Sequence, residues 1–314
     1  MKRILLVTAF ALMNFISLCS ISYAEALSEI PLFVSHYFEN QQLTIGNKYY
    51  TGFETREEFS QFYIVPQNHK NSTTHDLTFE NKVSGNKSHK AWIYDRNEVV
   101  KGINTNHRGY PTFQFEKTSL GIVKNAVLID FWVFVDMPLK NKKGESWVSL
   151  ATLVSYSDIN WPRTYQINID SQAKLHLMHI PNQTQNVSDI YEAKNLIFPE
   201  KRWVRVTAYI DYTDDNQFDG PFIAIWQDGV LAAAAHFNDR INPQAAPAEI
   251  WPKCLDSWSQ KSIEEAEALC ELVYEGGLAQ AHFGMYAPPG LSTGVIYNDE
   301  LTIVEVIKEA VVDN

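Results

Sequence analysis

The sequence predicts an all-β protein: two antiparallel sheets packed face to face, with about a dozen strands, in one domain. Three observations carry that expectation. Apolar and polar residues alternate with period two from about residue 120 to 306. Pro, Gly, Asn and Asp punctuate the alternating runs, as turns between strands require. Helical spacing of apolar residues dominates in a single later segment only.

The chain opens with MKRILLVTAFALMNFISLCSISYA, in which Lys2 and Arg3 precede an apolar run from Ile4 to Leu18 and small residues lead to Ala24. Charge, short apolar core and small-residue end make residues 1–24 an export signal. The run is too short to span a bilayer comfortably, and no later stretch is apolar enough to do so. Cys19 would suit a lipid anchor, but Leu18 is bulky where such sites want a small residue. Residues 25–314 are then one exported domain, in the periplasm or outside the cell. Removing Lys2 and Arg3 leaves 24 cations against 37 acids, a net charge of −13. So acidic a chain is a poor partner for nucleic acid, whose phosphates need Lys and Arg.

The polar stretch QNHKNSTTHD, residues 67–76, reads as a loop. In HRGYPTFQF, residues 107–115, an extended backbone puts His107, Gly109, Pro111, Phe113 and Phe115 on one face and Arg108, Tyr110, Thr112 and Gln114 on the other. The proline supports extended geometry at Tyr110. Next come Val127, Ile129, Phe131, Val133 and Val135 as an apolar row, backed by Leu128, Asp130, Trp132, Phe134 and Asp136. Val148, Leu150, Thr152 and Val154 repeat the pattern. KLHLMHIP, residues 174–181, leaves its phase open: His179 shares a face with Leu175 and Leu177, His176 with Met178. Val204, Val206, Ala208 and Ile210 oppose Trp203, Arg205, Thr207, Tyr209 and Asp211. Gln227-Asp228-Gly229, between FIAIW and VLAAAAHF, reads as a hairpin turn.

An insertion at about 238–277 departs from the pattern. Within it Ser262 and Glu265 form a capping box, Leu269, Leu272 and Val273 follow at helical spacing, and Gly276-Gly277 is a stop. Cys254 and Cys270 either pair as a disulfide, which export permits and which would contribute about 3 kcal/mol, or remain two buried thiols. After it, LAQAHFGMYA turns Ala279, Ala281, Phe283 and Met285 one way and Gln280, His282, Gly284 and Tyr286 the other. A glycine between His and Tyr allows close approach to the backbone.

Antiparallel sheets often keep one face wet, so a polar row alone is ordinary. Two rows that together hold Arg, Tyr, Gln and His are less so. They supply positive charge, proton-transfer groups and hydrogen-bond donors, which makes Arg108, Tyr110, Gln114, His282 and Tyr286, with His179, the candidate site.

The order of these pieces resembles a concanavalin-like jelly roll over about residues 50–306. The stretches that carry the likeness are GFETREEFSQF, SGNKSHKAW, HRGYPTFQF, FPEKRWVRVTAYIDY, DGPFIAIWQDGVL, AQAHFGMYAPPG and GVIYNDELTIVEV. In particular the chain is similar to the polysaccharide lyases on that fold, which include alginate, glucuronan and heparin lyases; laminin-G-like lectin modules share the same combination. The resemblance implies secretion of an enzyme that cleaves uronic-acid polysaccharide by β-elimination. It implies Arg108 and Gln114 as neutralisers of the uronate carboxylate, His282 or His179 as base at C5, and Tyr286 or Tyr110 as acid on the leaving oxygen. The Arg-Glu-Leu-Arg type motif of the alginate lyases has no counterpart beyond HRGYPTFQF, and two further stretches depart from the group. WVSLATLVS stands where a Gln-Ile-His triplet is expected, and HFGMYAP lacks the lysine of the Phe-Lys-x-Gly-x-Tyr pattern.

The alternative is a non-catalytic carbohydrate-binding module of the same fold, stacking acidic or neutral sugars on Trp132, Trp147, Trp161 or Tyr165. Hydrolysis needs two facing carboxylates, and no Glu-x-Asp-x-x-Glu arrangement lies on a strand. No cofactor is expected. Asp211, Asp214, Asp215, Asn216 and Asp219 in DYTDDNQFDG are the one group suited to calcium, and they read more simply as a solvated acidic loop.

Overall fold

A computed structural model describes residues 31, 34, 41–60, 73–94, 106–115, 121, 123, 125–140, 147–154, 164–180, 188–190, 195–211, 222–236, 278–289 and 291–310. Its strands are β1 (Gln41–Thr51), β2 (Thr73–Thr78), β3 (Ser88–Ile93), β4 (His107–Gly109), β5 (Thr112–Gln114), β6 (Ala126–Asp136), β7 (Val148–Val154) and β8 (Thr164–Ile169). They continue as β9 (Leu175–Ile180), β10 (Ser188–Ile190), β11 (Trp203–Asp211), β12 (Phe222–Gln227), β13 (Val230–His236), β14 (Gln280–Ala287) and β15 (Val295–Ala310). One short helix, α1 (Arg56–Ser60), follows β1. The larger sheet runs β13-β12-β11-β6-β15-β3-β2, with β1 also on β15; the smaller runs β10-β9-β8-β7-β14-β4, with β5 also on β14.

Alternation explains the packing. Val127, Ile129, Phe131, Val133 and Val135 of β6 and Val204, Val206, Ala208 and Ile210 of β11 turn inward, against Phe113, Phe115, Leu150, Leu153, Ile167, Leu177, Ala281 and Phe283 of the smaller sheet. Phe283 sits at the centre, edge-on to Phe131 at 5.2 Å and to Phe113 at 5.7 Å. On the outer face of the larger sheet Arg205 Nε donates to both oxygens of Asp130, at 2.9 and 3.0 Å, and Thr207 Oγ1 donates to the same carboxylate at 2.6 Å. These two charges stay on the outer side of the sheet and are paired there.

The β12–β13 hairpin turns on Asp228 and Gly229, with φ of 50° and 80°. Two successive positive φ values make the turn whose twist matches the flanking strands. At the opposite edge the sheets are tied together by His107. Its Nδ1 lies 2.9 Å from Thr73 Oγ1 of β2, and its Nε2 lies 2.8 Å from the Leu291 carbonyl. A carbonyl can only accept, so Nε2 is the donor of that pair. His107 is a buried structural group on the underside of its strand.

Several sequence expectations change. Residues 73–76, read as loop, open β2 and pair with β3. The stretch 107–115 is two short strands rather than one: Tyr110 and Pro111 leave the ladder between β4 and β5, as a residue without an N–H favours. The row Val148, Leu150, Thr152, Val154 is broken by a register shift between Ser149 and Ala151. The extra residue swaps the phase. Leu153 joins the core, while Thr152 moves to the side of Ser149, its Oγ1 3.3 Å from the serine Oγ. Tyr165, a candidate for stacking on sugar, has no exposure and belongs to the core. The expected leader, Trp161, the 238–277 insertion with its expected helix and both its cysteines, and Asp214, Asp215, Asn216 and Asp219 lie outside the described residues. No helix among the described residues is long and apolar enough to cross a membrane.

Candidate active site

Directly paired residues of antiparallel strands put their side chains on one face, so the register of the smaller sheet lays out its outer face. Across β14 and its neighbours, Tyr286 opposes Arg108 and Ser149; His282 opposes Thr112 and Thr152; Gln280 opposes Gln114 and Val154. From β7 the row continues to Gln166, paired with Thr152, and Asn168, paired with Ser149. It then passes to Met178 and His176 of β9, which oppose Gln166 and Asn168. The result is a floor of hydroxyls, amides and imidazoles spanning β4, β5, β14, β7, β8 and β9, and it is buried: Thr112, Ser149, Thr152, Gln166, Asn168, His176 and Gln280 are each 9% exposed or less. Arg108 is the one Lys or Arg in the strands of this sheet.

At one end four of the sequence-derived candidates meet. The Tyr110 and His282 rings stack at 4.5 Å with 10° between planes. Tyr286 stands edge-on to Tyr110 at 6.3 Å, and the Arg108 guanidinium lies over the Tyr286 ring at 5.5 Å. That distance is within cation–π reach. The Trp147 edge meets Tyr286 at 5.0 Å, and Asn106 Nδ2 donates to Tyr286 Oη at 2.9 Å. Arg108, Tyr286, Trp147 and Asn106 are half-buried, whereas His282 is 5% and Tyr110 2% exposed. The cluster is therefore open to solvent at the Arg108–Tyr286 end and buried at the His282–Tyr110 end.

Depth sets the protonation states. Burial, reinforced by the Arg108 charge, pushes the His282 imidazole down to about 3, so it is neutral at physiological pH. Burial pushes the Tyr110 phenol up to about 12, opposed by Arg108 and aided by Tyr286. Tyr110 therefore keeps its proton. The open end offers a cation and a phenol; the floor beneath offers neutral hydrogen-bonding groups.

Gly284 lies between His282 and Tyr286 at the register shift of β14 against β7. Its φ is +144°, and a Cβ there would come within 2.5 Å of the Gly109 carbonyl, 3.0 Å of Tyr110 Cβ and 3.1 Å of His89 Cε1. What comes close to this backbone is β4, Tyr110 and a core histidine of the other sheet. The glycine is needed for the chain's own packing.

Position 114 takes its place in the row opposite Gln280. Position 179 does not: it opposes Tyr165, a core position, and the β9 histidine in the polar row is His176, 2% exposed. Asn106, Gln166 and Asn168 were not singled out from the sequence. In TYQINI the last two alternate with Tyr165, Ile167 and Ile169, so period two alone exposes that row. Nothing local marks Asn106. Among the described residues no group of three or more His, Cys, Asp or Glu is arranged to hold a metal ion. Asp211 is instead occupied within the fold, accepting from Tyr209 Oη at 2.9 Å and pairing with Lys308.

Two antiparallel sheets in this order, with a polar face on the smaller one, define a jelly roll of the kind on which polysaccharide lyases are built. Among solved structures, the chain is similar to an endo-β-1,4-glucuronan lyase from the fungus Trichoderma reesei, with TM-score 0.50 and 11% identity over 83% of this chain and 95% of that one. It also matches the cellulose-induced protein Cip1, at TM-score 0.48 and 15% identity over 81% and 95% of the two chains. A third match is the alginate lyase vAL-1 from Chlorella virus, at TM-score 0.43 and 11% identity over 73% and 88%. No protein-family model matches the sequence, and no curated protein does. The first of these likenesses establishes the fold.

Proposed function

We propose that the chain is an exported polysaccharide lyase that cleaves uronic-acid-containing polysaccharide by β-elimination at the outer face of the smaller sheet. The observation that carries the reading is the Arg108 guanidinium lying 5.5 Å from the centre of the Tyr286 ring at the open end of the polar row. β-Elimination needs both groups together. A C5 proton is weakly acidic until the neighbouring carboxylate is neutralised, which Arg108 does as the one cation of the sheet. With the carboxylate neutralised, a base takes the C5 proton, the electrons form C4=C5, and the C4–O4 bond breaks. The leaving oxygen then takes a proton.

Tyr286 is the proton-transfer group that solvent and a sugar chain reach. His282 is neutral and lies deeper; pushed down to about 3 it is too weak a base to take the C5 proton and serves as a hydrogen-bonding group behind Tyr286. Tyr110, which holds its proton, donates a hydrogen bond. Gln280, Gln166, Asn168, Thr112 and Thr152 are buried and continue the polar row behind that end.

The test is ultraviolet absorbance of the unsaturated product on alginate, glucuronan, heparin and pectin. A rise on at least one, abolished by Tyr286→Phe, is expected. No rise on any, with binding retained, sinks the enzymatic reading in favour of a binding module. That second reading has its own support in the low exposure of His282 and the missing lysine in HFGMYAP.

A further inference from the structure

Tyr286 is held from three sides. Arg108 covers its face at 5.5 Å, the Trp147 edge meets it at 5.0 Å, and Asn106 Nδ2 donates to its hydroxyl at 2.9 Å. The first two contacts fix the ring. Only the third acts on the oxygen that carries the proton. We propose that Asn106 is a positioning residue for Tyr286: its amide N–H occupies one lone pair of Oη and so turns the phenol O–H to the open end of the cluster, toward a bound sugar.

The argument is one of hydrogen-bond inventory. A phenol oxygen has one proton to give and lone pairs to fill. With an amide donor already seated on one lone pair, the hydroxyl proton cannot point back at Asn106 and lies in one of the remaining directions. The same donor stabilises negative charge on Oη whenever the proton leaves. Asn106 immediately precedes β4, and Arg108, two residues on, is the cation over the same ring. One short segment therefore supplies both the charge over the ring and the donor at its oxygen. Tyr110, stacked on His282 and edge-on to the same Tyr286 ring at 6.3 Å, follows two residues later again.

This inference rests on Tyr286 transferring a proton in the elimination. Two variants test it, on whichever polysaccharide the wild type cleaves. Asn106→Asp keeps the size of the side chain but, ionised, can only accept; Asn106→Leu removes the hydrogen bond altogether. Both are expected to lose about tenfold in kcat, the worth of one hydrogen bond, with KM within about twofold and the alkaline limb of the kcat–pH profile displaced. A merely structural role would leave Asn106→Asp like the wild type at every pH. Unchanged kcat in Asn106→Asp, or a loss confined to KM, overturns the proposal; should Asn106→Leu fail to fold, the aspartate variant decides. Tyr286→Phe separates the two failures. If it is inactive while Asn106→Asp is normal, only the role of Asn106 is wrong. If Tyr286→Phe cleaves like the wild type, or the wild type cleaves nothing, the catalytic reading of Tyr286 falls and this one with it.

Discussion

In the proposed elimination Arg108 and Tyr286 carry the chemistry, so their substitutions should separate activity from stability. Arg108→Ala is expected to lower kcat/KM about 10²–10³-fold, and Tyr286→Phe to lower kcat about 10²–10⁴-fold, with thermal midpoints near the wild type in both. Initial rates of ultraviolet absorbance would read both losses. His282 makes a different prediction, about pH. Its folded-state value of about 3 lies below the ordinary 6.5, so between these limits the unfolded chain takes up a proton that the folded chain refuses. Stability from this group is complete above pH 6.5 and is lost as pH falls toward 3. Burial of His89 beside His75 acts in the same direction. Asp299, raised by burial to about 6, acts in the opposite direction between 6 and its ordinary 3.8. His282→Asn should therefore flatten the fall in urea midpoint between pH 7 and pH 4.5; an unchanged fall would refute the assignment.

Within β14, Gly284 is the position where backbone and neighbours leave no room for a side chain. Gly284→Ala forces a positive φ on a residue that disfavours it and drives a Cβ to 2.5 Å from the Gly109 carbonyl. A destabilisation of about 3 kcal/mol is expected from strain and overpacking together, measurable by denaturant titration, and a neutral result would mean that β4 is free to move away. The faces of β6, β11 and β14 were legible from period two alone, because none of their inward rows is interrupted by the shifts in pairing. Those of β7 were not. The register shift at Ser149 and Ala151 exchanges the faces, and no residue type in VSLATLV announces it. For β9 the sequence left His176 and His179 both open. Pairing with β8 decides between them, since Asn168 opposes one and Tyr165 the other.

Among the described residues, the larger of two buried apolar clusters is shared by both sheets, with Phe131 of the larger sheet and Phe113 and Phe283 of the smaller in edge contact. A shared core predicts shared cooperativity. The two sheets should unfold in a single transition, with near- and far-ultraviolet circular dichroism coinciding. Phe283→Ala should move the whole transition, costing about 3–5 kcal/mol. Two separated transitions would show that the sheets are independent units.

From its residues alone this chain is committed to two antiparallel sheets, to the inward rows that join them, and to Arg108, His282 and Tyr286 lying on the polar sides of their strands. Those are local properties: alternation, turn residues and the fixed φ of proline act over a few neighbours. Tertiary structure alone decided that the two polar rows are adjacent, that His282 and Tyr110 are buried while Tyr286 stays half-buried, and that Asn106 reaches the tyrosine hydroxyl. Each of these depends on strand pairing across long stretches of chain, between residues 106–114 and 280–286. Burial, which sets the protonation of His282 and Tyr110, exists only once those distant segments have met.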